Sequence, residues 1–553
     1  MKTYALVSLL LALLALPLAA ATYDWTGGGA NANWDTVGNW AGGAVPASTD
    51  KGQFQTGGTS ASLNGADRSL AQIIVTNTTG FTFSGFNGAT TNTLNFTGTV
   101  NPQRYVEQPG TWAITNSGDR VFNCNVTLPA IGAYCDRQLV YMTWPSPASG
   151  SSYNFIFNGK VTFGARTANG ADWIDLDASA GPTYPNVIFN DSFFVVNNNS
   201  RAFTIKTANN TFTFNGSNFF NGVSLLSFTA GNWKSGTIYV GHNNAIDTSS
   251  VQLDLGLNST SYNGNNVYLR AYVNKPNLFV SGRLRIWNDL TRGYVGADFA
   301  GTGTSTWNNT VRYAAPTVAS GLTPAQVYFK AAQSGNRIVF AGRVYQTTWA
   351  VTDNHRPVFI EGPGTVVFKA TNDIPGTITV QANGTFVAEN NVCAAGWGSL
   401  SVSSGATLGG SGVLSNATTV AGGAYLKPGS SVGTLTIGNS LTLNANATNV
   451  FEKGPAGTAD KVVCGALTIG SPVVIQLVND GGSAGAYDVT NTIFDATSFS
   501  GLANLQLDLS QTPGWTGGEF VDLGNSDIGL TGLIPEPALL ALLALPLLWL
   551  RRA

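Results

Sequence analysis

Charge is scarce in this chain of 553 residues. Asp, Glu, Lys and Arg together make up 10%, and the formal net charge is −2. An average soluble protein carries about 25% charged residues. So low a content argues against a long Lys/Glu-rich helix or coiled coil, and the balance leaves no basic footprint for nucleic acid. Histidine and methionine number 2 each. That leaves little material for a histidine metal centre, and neither a cofactor nor a metal is expected. There is no P-loop, no Cys-x-x-Cys pair and no His-Glu-x-x-His sequence, nor a Gly-x-Ser-x-Gly elbow between a strand and a helix. Disorder is excluded as well, because 43% of the residues are hydrophobic and a disordered chain is apolar-poor. What is abundant instead is glycine, at 66 residues.

The two ends hold part of the apolar content. Met1-Lys2-Thr3 is followed by an apolar run from Ala5 to Leu18 and by Ala19-Ala20-Ala21. A positive start, a short hydrophobic core and small residues make a secretory signal. Residues 1–21 are therefore expected to direct export and to be removed by signal peptidase before Thr22. At the other end, Pro535-Glu536-Pro537 precedes an uncharged segment from Ala538 to Leu550, closed by Arg551 and Arg552. A helix needs about 20 residues to cross a bilayer; the segment is shorter, but the arginines can snorkel. They would stay on the cytoplasmic side, with the body outside.

The body between these ends reads as all-β. Gly376-Thr-Ile-Thr-Val380 alternates polar and apolar, Gln381-Ala-Asn-Gly384 turns, and Gly384-Thr-Phe-Val-Ala388 starts again. Short period-two runs bounded by Gly and Asn are strands and turns. Gly398, Gly405 and Gly412 recur every seven residues between such runs. Repeated short strands are the mark of a solenoid, so the expected architecture is a right-handed parallel β-helix with coils of roughly 20–25 residues stacked at about 4.8 Å. Val, Ile, Leu and Phe would point inward, and Thr, Ser and Asn outward, keeping the surface solvated without charge. Tandem β-sandwiches are the alternative for the less regular middle, about residues 90–350. Apolar helices are expected only at the two termini.

The C-terminal tail resembles the PEP-CTERM sorting signal of Gram-negative bacteria, through its Pro-Glu-Pro triplet, its Leu/Ala-rich segment and its terminal arginines. The resemblance implies recognition by an exosortase-type transpeptidase near Pro535-Glu536-Pro537 and association with the cell surface or extracellular matrix. Gly362-Pro-Gly-Thr-Val-Val-Phe-Lys-Ala-Thr-Asn372, Pro375-Gly-Thr-Ile-Thr-Val380 and Ala382-Asn-Gly-Thr-Phe-Val387 resemble the autotransporter-associated β-strand repeat. Lys427-Pro-Gly-Ser-Ser-Val-Gly-Thr-Leu-Thr-Ile437 resembles the segment that commonly follows it. This likeness also implies an exported parallel β-helix, although the residues between Leu443 and Ile534 leave no room for the membrane barrel that ends an autotransporter. The expected organisation is a signal over 1–21, a β-rich solenoid body with a Trp-rich cap over 22–359, a repeat region over 360–533 and a sorting or membrane tail over 534–553.

Parallel β-helices also carry polysaccharide lyases and hydrolases, and glycoside hydrolysis uses paired carboxylates. Asp172, Asp175 and Asp177 form the densest acidic group, with Trp173 between them. They are weak catalytic candidates, read first as a solvated edge. The Asp353-Asn-His-Arg356 cluster and His242 read as loop and turn. Export permits disulfides, and Cys124 with Cys135 is the favoured pair, leaving Cys393 and Cys464 as buried singles. Trp25, Trp34 and Trp40 read as a hydrophobic cap over the first coil, with a sugar platform as the alternative. The expected function is a non-enzymatic cell-surface or matrix protein, structural or adhesive, whose partners are signal peptidase, an exosortase-type sorting enzyme, the envelope membrane and extracellular polysaccharide. The alternative is a secreted polysaccharide lyase or hydrolase on the same scaffold.

Overall fold

The computed structural model describes residues 20–535 apart from stretches between strands, the longest being 109–117, 143–153, 176–184, 257–267, 315–325 and 480–488. The terminal segments 1–19 and 536–553, where apolar helices were expected, lie outside the described residues, and so do Glu536, Pro537, Arg551 and Arg552. Pro535 ends the last strand, Asp527–Pro535. Among the described residues no helix is long and apolar enough to cross a membrane. The chain divides into two compact units, one ending at Ser227 and one beginning at Phe228. The change of texture read near residue 360 falls inside the second.

The first unit is built of three parallel sheets, each adding one strand per coil. Thr22–Trp25, Lys51–Phe54 and Gln72–Val75 lie side by side in the first sheet. Phe81–Ser84, Arg120–Asn123, Asn154–Phe157 and Asn186–Phe189 follow one another in the second. Thr93–Phe96, Asn125–Leu128 and Val161–Phe163 do so in the third. Burial alternates as a pleated strand requires: Phe155 and Phe157 are buried, while Asn154 and Ile156 are partly exposed.

A phenylalanine stack runs up the core of this unit. Phe83, Phe122, Phe157, Phe189 and Phe214 lie in register, with ring centroids 4.9, 4.8, 5.1 and 5.1 Å apart and planes within 15° of parallel. That separation is the interstrand spacing of about 4.8 Å, so the sheet itself sets the stacking distance. Each of the last four rings is followed by an asparagine, and the four amides form a second ladder. Asn158 Nδ2 donates to Asn123 Oδ1 at 2.7 Å, Asn190 to Asn158 at 2.7 Å, and Asn215 to Asn190 at 2.9 Å. The chain then turns through a glycine where coils touch: a Cβ on Gly159 would stand 2.3 Å from the Cys124 carbonyl oxygen.

The second unit repeats the plan. Tyr268–Val273, Arg292–Ala297, Gln326–Ala331, Val358–Glu361, Ile378–Val380 and Leu400–Val402 pair in parallel down one sheet. A 10-stranded sheet begins at Phe279–Val280 and ends at Leu505–Gln511. Parallel pairing through the middle of the chain sets aside the β-sandwich alternative, because sandwich sheets are antiparallel.

Coil length is where expectation and structure part. Val358, Ile378 and Leu400 stand abreast, 20 and 22 residues apart. In the first unit Asn123 and Asn158 stand abreast 35 residues apart. The longer coils carry extra chain between strands, which hides the period in the sequence. The seven-residue recurrence of Gly398, Gly405 and Gly412 is not a coil but three corners of one: each stands shortly before a strand, at Leu400, Thr407 and Val413. Sequence alternation also gave no sign of the antiparallel finish, in which Asp527–Pro535 runs against both Asn491–Ser500 and Trp515–Gly524.

Candidate ligand-binding surface

Of the acidic group read from sequence, Asp172 sits in a buried ion cluster. Asp172 and Arg137 are register partners in adjacent coils. Arg137 grips the Asp172 carboxylate through Nε at 2.7 Å and Nη2 at 2.8 Å, and Arg166 Nη1 adds a third contact at 3.0 Å. Arg137 Nη1 also donates to the carbonyls of Pro129 and Gly164 at 2.9 and 3.0 Å. All three charged side chains are fully buried. A carboxylate held this way cannot reach a polymer in solvent, so Asp172 is a structural residue. Asp175 closes the same strand, Asp172–Asp175; its side chain, like that of Trp173 and all of Asp177, lies outside the described residues.

The other sequence candidates are also placed. Cys124, Cys393 and Cys464 are buried free thiols, and Cys135 lies outside the described residues. Burial pushes the Cys124 thiol up to about 12; Cys464 also reaches about 12, through burial first and the Asp495 carboxylate second. His242 Nδ1 accepts the Asn244 N–H at 3.1 Å inside a turn, as expected. His355 is exposed and Arg356 buried, with Asp353 outside the described residues.

Trp25, Trp34 and Trp40 are buried against one another, with ring centroids 5.0–6.5 Å apart, and they pack on Phe54. Trp40 Nε1 donates to the Trp34 carbonyl at 2.7 Å. No indole face is offered to solvent, so the three rings are a buried cluster and not a sugar platform.

Two outward columns in the second unit are what the sequence reasoning missed. On one sheet, Arg270, Tyr294, Tyr328, Phe359, Thr379, Ser401, Thr419, Thr442, Thr468 and Ser500 stand in unbroken register. Its aromatic part is a closed stack: Tyr294 and Tyr328 lie 4.5 Å apart, and Tyr328 and Phe359 4.9 Å. Arg270 and Arg292 sit 5.2 and 5.5 Å from the Tyr294 and Tyr328 rings. The faces of stacked rings are occupied by each other, so this stretch is a spine and not a sugar platform. Beside it Tyr239 donates to Asp298 Oδ2 at 3.0 Å. Burial and the nearby carboxylate push this phenol up to about 12. Beyond Phe359 the column is a plain hydroxyl ladder.

The second column runs along the 10-stranded sheet: Arg337, Thr365, Thr385, Thr407, Tyr425 and Thr448 are successive rungs. Next to it run Val339, Val367, Val387, Gly409 and Lys427. Where this neighbouring column reaches Gly409 there is no side chain, and a cleft of about 290 Å³ opens between Thr385, Thr407, Lys427 and Glu452. Gly409 has no room for a Cβ, which would stand 2.7 Å from the Lys427 carbonyl oxygen, and Gly410 has φ of +105°. Backbone packing therefore imposes the gap.

The electrostatics of the cleft are uneven. Arg337 and Lys369 are both paired with Glu389, Lys369 at 3.1 Å. Asp460, at one end, is fully buried and accepts the backbone N–H groups of Gly433 and Glu452, each at 2.7 Å. Lys427 is exposed and makes no ion pair among the described residues, its ammonium lying 5.8 Å from the Tyr425 ring. The Gly429-Ser-Ser-Val-Gly433 segment borders the same cleft but leads into the strand Thr434–Ile437. It has no helix to make a nucleophile elbow.

The signal for the hydroxyl columns was in the sequence as Thr at the outward position of Ile378-Thr-Val380, Thr418-Thr-Val420 and Leu441-Thr-Leu443. What joins them into columns is register, which no single strand contains. No family model and no curated protein matches the chain.

Proposed function

We propose that this chain is an exported, non-catalytic β-helical protein displayed at the cell surface or in the extracellular matrix, where its outward columns bind polysaccharide. Export rests on the residue 1–21 signal. Sorting rests on the likeness of Pro535-Glu536-Pro537 and the following apolar, arginine-ended segment to a PEP-CTERM tail, with an exosortase-type enzyme and the envelope membrane as its partners. The observation that carries the display reading is the in-register ladder from Thr379 to Ser500. Uncharged hydroxyls repeated at the interstrand spacing of about 4.8 Å give a long surface that hydrogen-bonds to polyhydroxylated polymers. The same residues solvate the fold without charge, which accounts for the low charge content.

Sorting is tested by the mass of the mature C-terminus in the source cell, for the natural chain and for one with Pro535, Glu536 and Pro537 all changed to Ala. Loss of the tail in the first and retention in the second supports the proposal. An intact tail in both removes the processing step. Incubation of the exported protein with neutral and acidic glycans tests the rest: binding without sugar release supports display, and sugar release supports the enzyme alternative.

A further inference from the structure

We propose that the cleft beside Gly409 is a binding site for the carboxylate of an acidic polysaccharide. Lys427 supplies the countercharge, and the threonine column is the track along which the polymer lies. The inference rests on the display reading above and names the ligand class for this one site.

Three observations converge on it. The first is charge. Of the two cations that line the cleft, Arg337 is neutralised by Glu389, whereas Lys427 is exposed and makes no ion pair among the described residues. An ammonium on a mobile stem suits a point anion.

The second is shape. Gly409 and Gly410 line the cleft without side chains, together with Thr385 and Thr407, and Tyr425, 39% exposed, is the next rung. Glu452 lines the cleft as well. Its carboxylate accepts hydroxyls and repels a second carboxylate, so an acidic sugar is oriented with its anion toward Lys427.

The third is period. The rungs Thr365, Thr385 and Thr407 stand in register at the interstrand distance of about 4.8 Å, so a polyhydroxylated polymer laid along the column meets a hydroxyl at every coil.

The experiment uses the full exported chain and measures affinity by calorimetry for an oligouronate, a neutral oligosaccharide of the same length and an oligoglutamate of the same charge. The variants are Lys427→Gln, the pair Thr385→Val with Thr407→Val, and Lys369→Gln as a charge control outside the cleft. All are partly exposed positions, and thermal unfolding checks that each variant is folded. Losing one charge-assisted contact is expected to weaken oligouronate binding roughly tenfold in Lys427→Gln. Neutral binding is expected to stay unchanged in that variant, both ligands to weaken in the threonine pair, and Lys369→Gln to bind as the natural chain does. Equal oligouronate affinity in Lys427→Gln overturns the site. Oligoglutamate binding as tight as oligouronate overturns the ligand class. Neutral binding without any preference for the oligouronate overturns this inference and leaves the display reading standing. Binding of neither glycan overturns both.

Discussion

Asn158 donates its side-chain amide to Asn123 at 2.7 Å across 35 residues of sequence, and it accepts from Asn190 at the same distance. Each coil is thus tied to the next by a side-chain bond running parallel to the backbone ladder. Asn158→Ala removes one bond below and one above, leaving both neighbours partly unpaired. A loss of about 1–3 kcal/mol is expected, read as a lower denaturation midpoint. Asn158→Asp keeps an acceptor for Asn190 but no donor for Asn123, so its midpoint is expected between those of the natural chain and Asn158→Ala.

The buried cluster predicts a larger effect. Removing the Asp172 carboxylate leaves the Arg137 and Arg166 guanidiniums inside the fold without their shared counterion. Breaking a buried pair costs about 3–5 kcal/mol. Asp172→Ala is therefore expected to unfold well below the natural chain by differential scanning calorimetry, while any folded fraction binds glycan as before. A selective loss of glycan binding or turnover with unchanged stability would return Asp172 to the list of functional residues.

Truncating the cap tests the aromatic cluster at the first coil. Trp34→Ala deletes a fully buried indole that packs on Trp25, Trp40 and Phe54. Such a truncation costs about 3–5 kcal/mol, so thermal unfolding of the first unit is expected to move down. Glycan affinity of the folded protein is expected to stay the same, which a sugar platform would not allow.

High pH provides a further check. Folding raises Cys124 and Cys464 from 9.0 to about 12 and Tyr239 from 10.0 to about 12. The unfolded chain thus loses these protons first, so stability is full below pH 9 and falls as pH rises from about 9 toward 12. Denaturant titrations across that window are expected to show the decline, and Cys124→Ala to make it shallower. The two thiols are also expected to resist alkylation at pH 8 until the chain unfolds, because the thiolate is the reactive form.

The alternation of inward and outward residues was legible wherever coils are short. Ile378 and Val380 are buried with Thr379 between them, as the pattern in Gly376-Thr-Ile-Thr-Val380 requires. The first unit was harder to read because its coils vary in length. Phe122-Asn123, Phe157-Asn158, Phe189-Asn190 and Phe214-Asn215 are one repeated dipeptide, yet the intervals of 35, 32 and 25 residues defeat a search for a fixed period. The same physics hid the Arg137–Asp172 pair. Its partners are adjacent only because two strands 35 residues apart share a register. The cleft at Gly409 was invisible for a related reason: a glycine in one strand becomes a gap only when Val387 and Lys427 flank it in the neighbouring strands.

The central claim is that the hydroxyl ladder faces the outside of the cell. Ser401 is an exposed rung of that ladder. The direct measurement is labelling of Ser401→Cys on intact source cells with a membrane-impermeant maleimide, compared with the unsubstituted chain. The account predicts labelling of the variant above that background before lysis; labelling that appears only after lysis would contradict it.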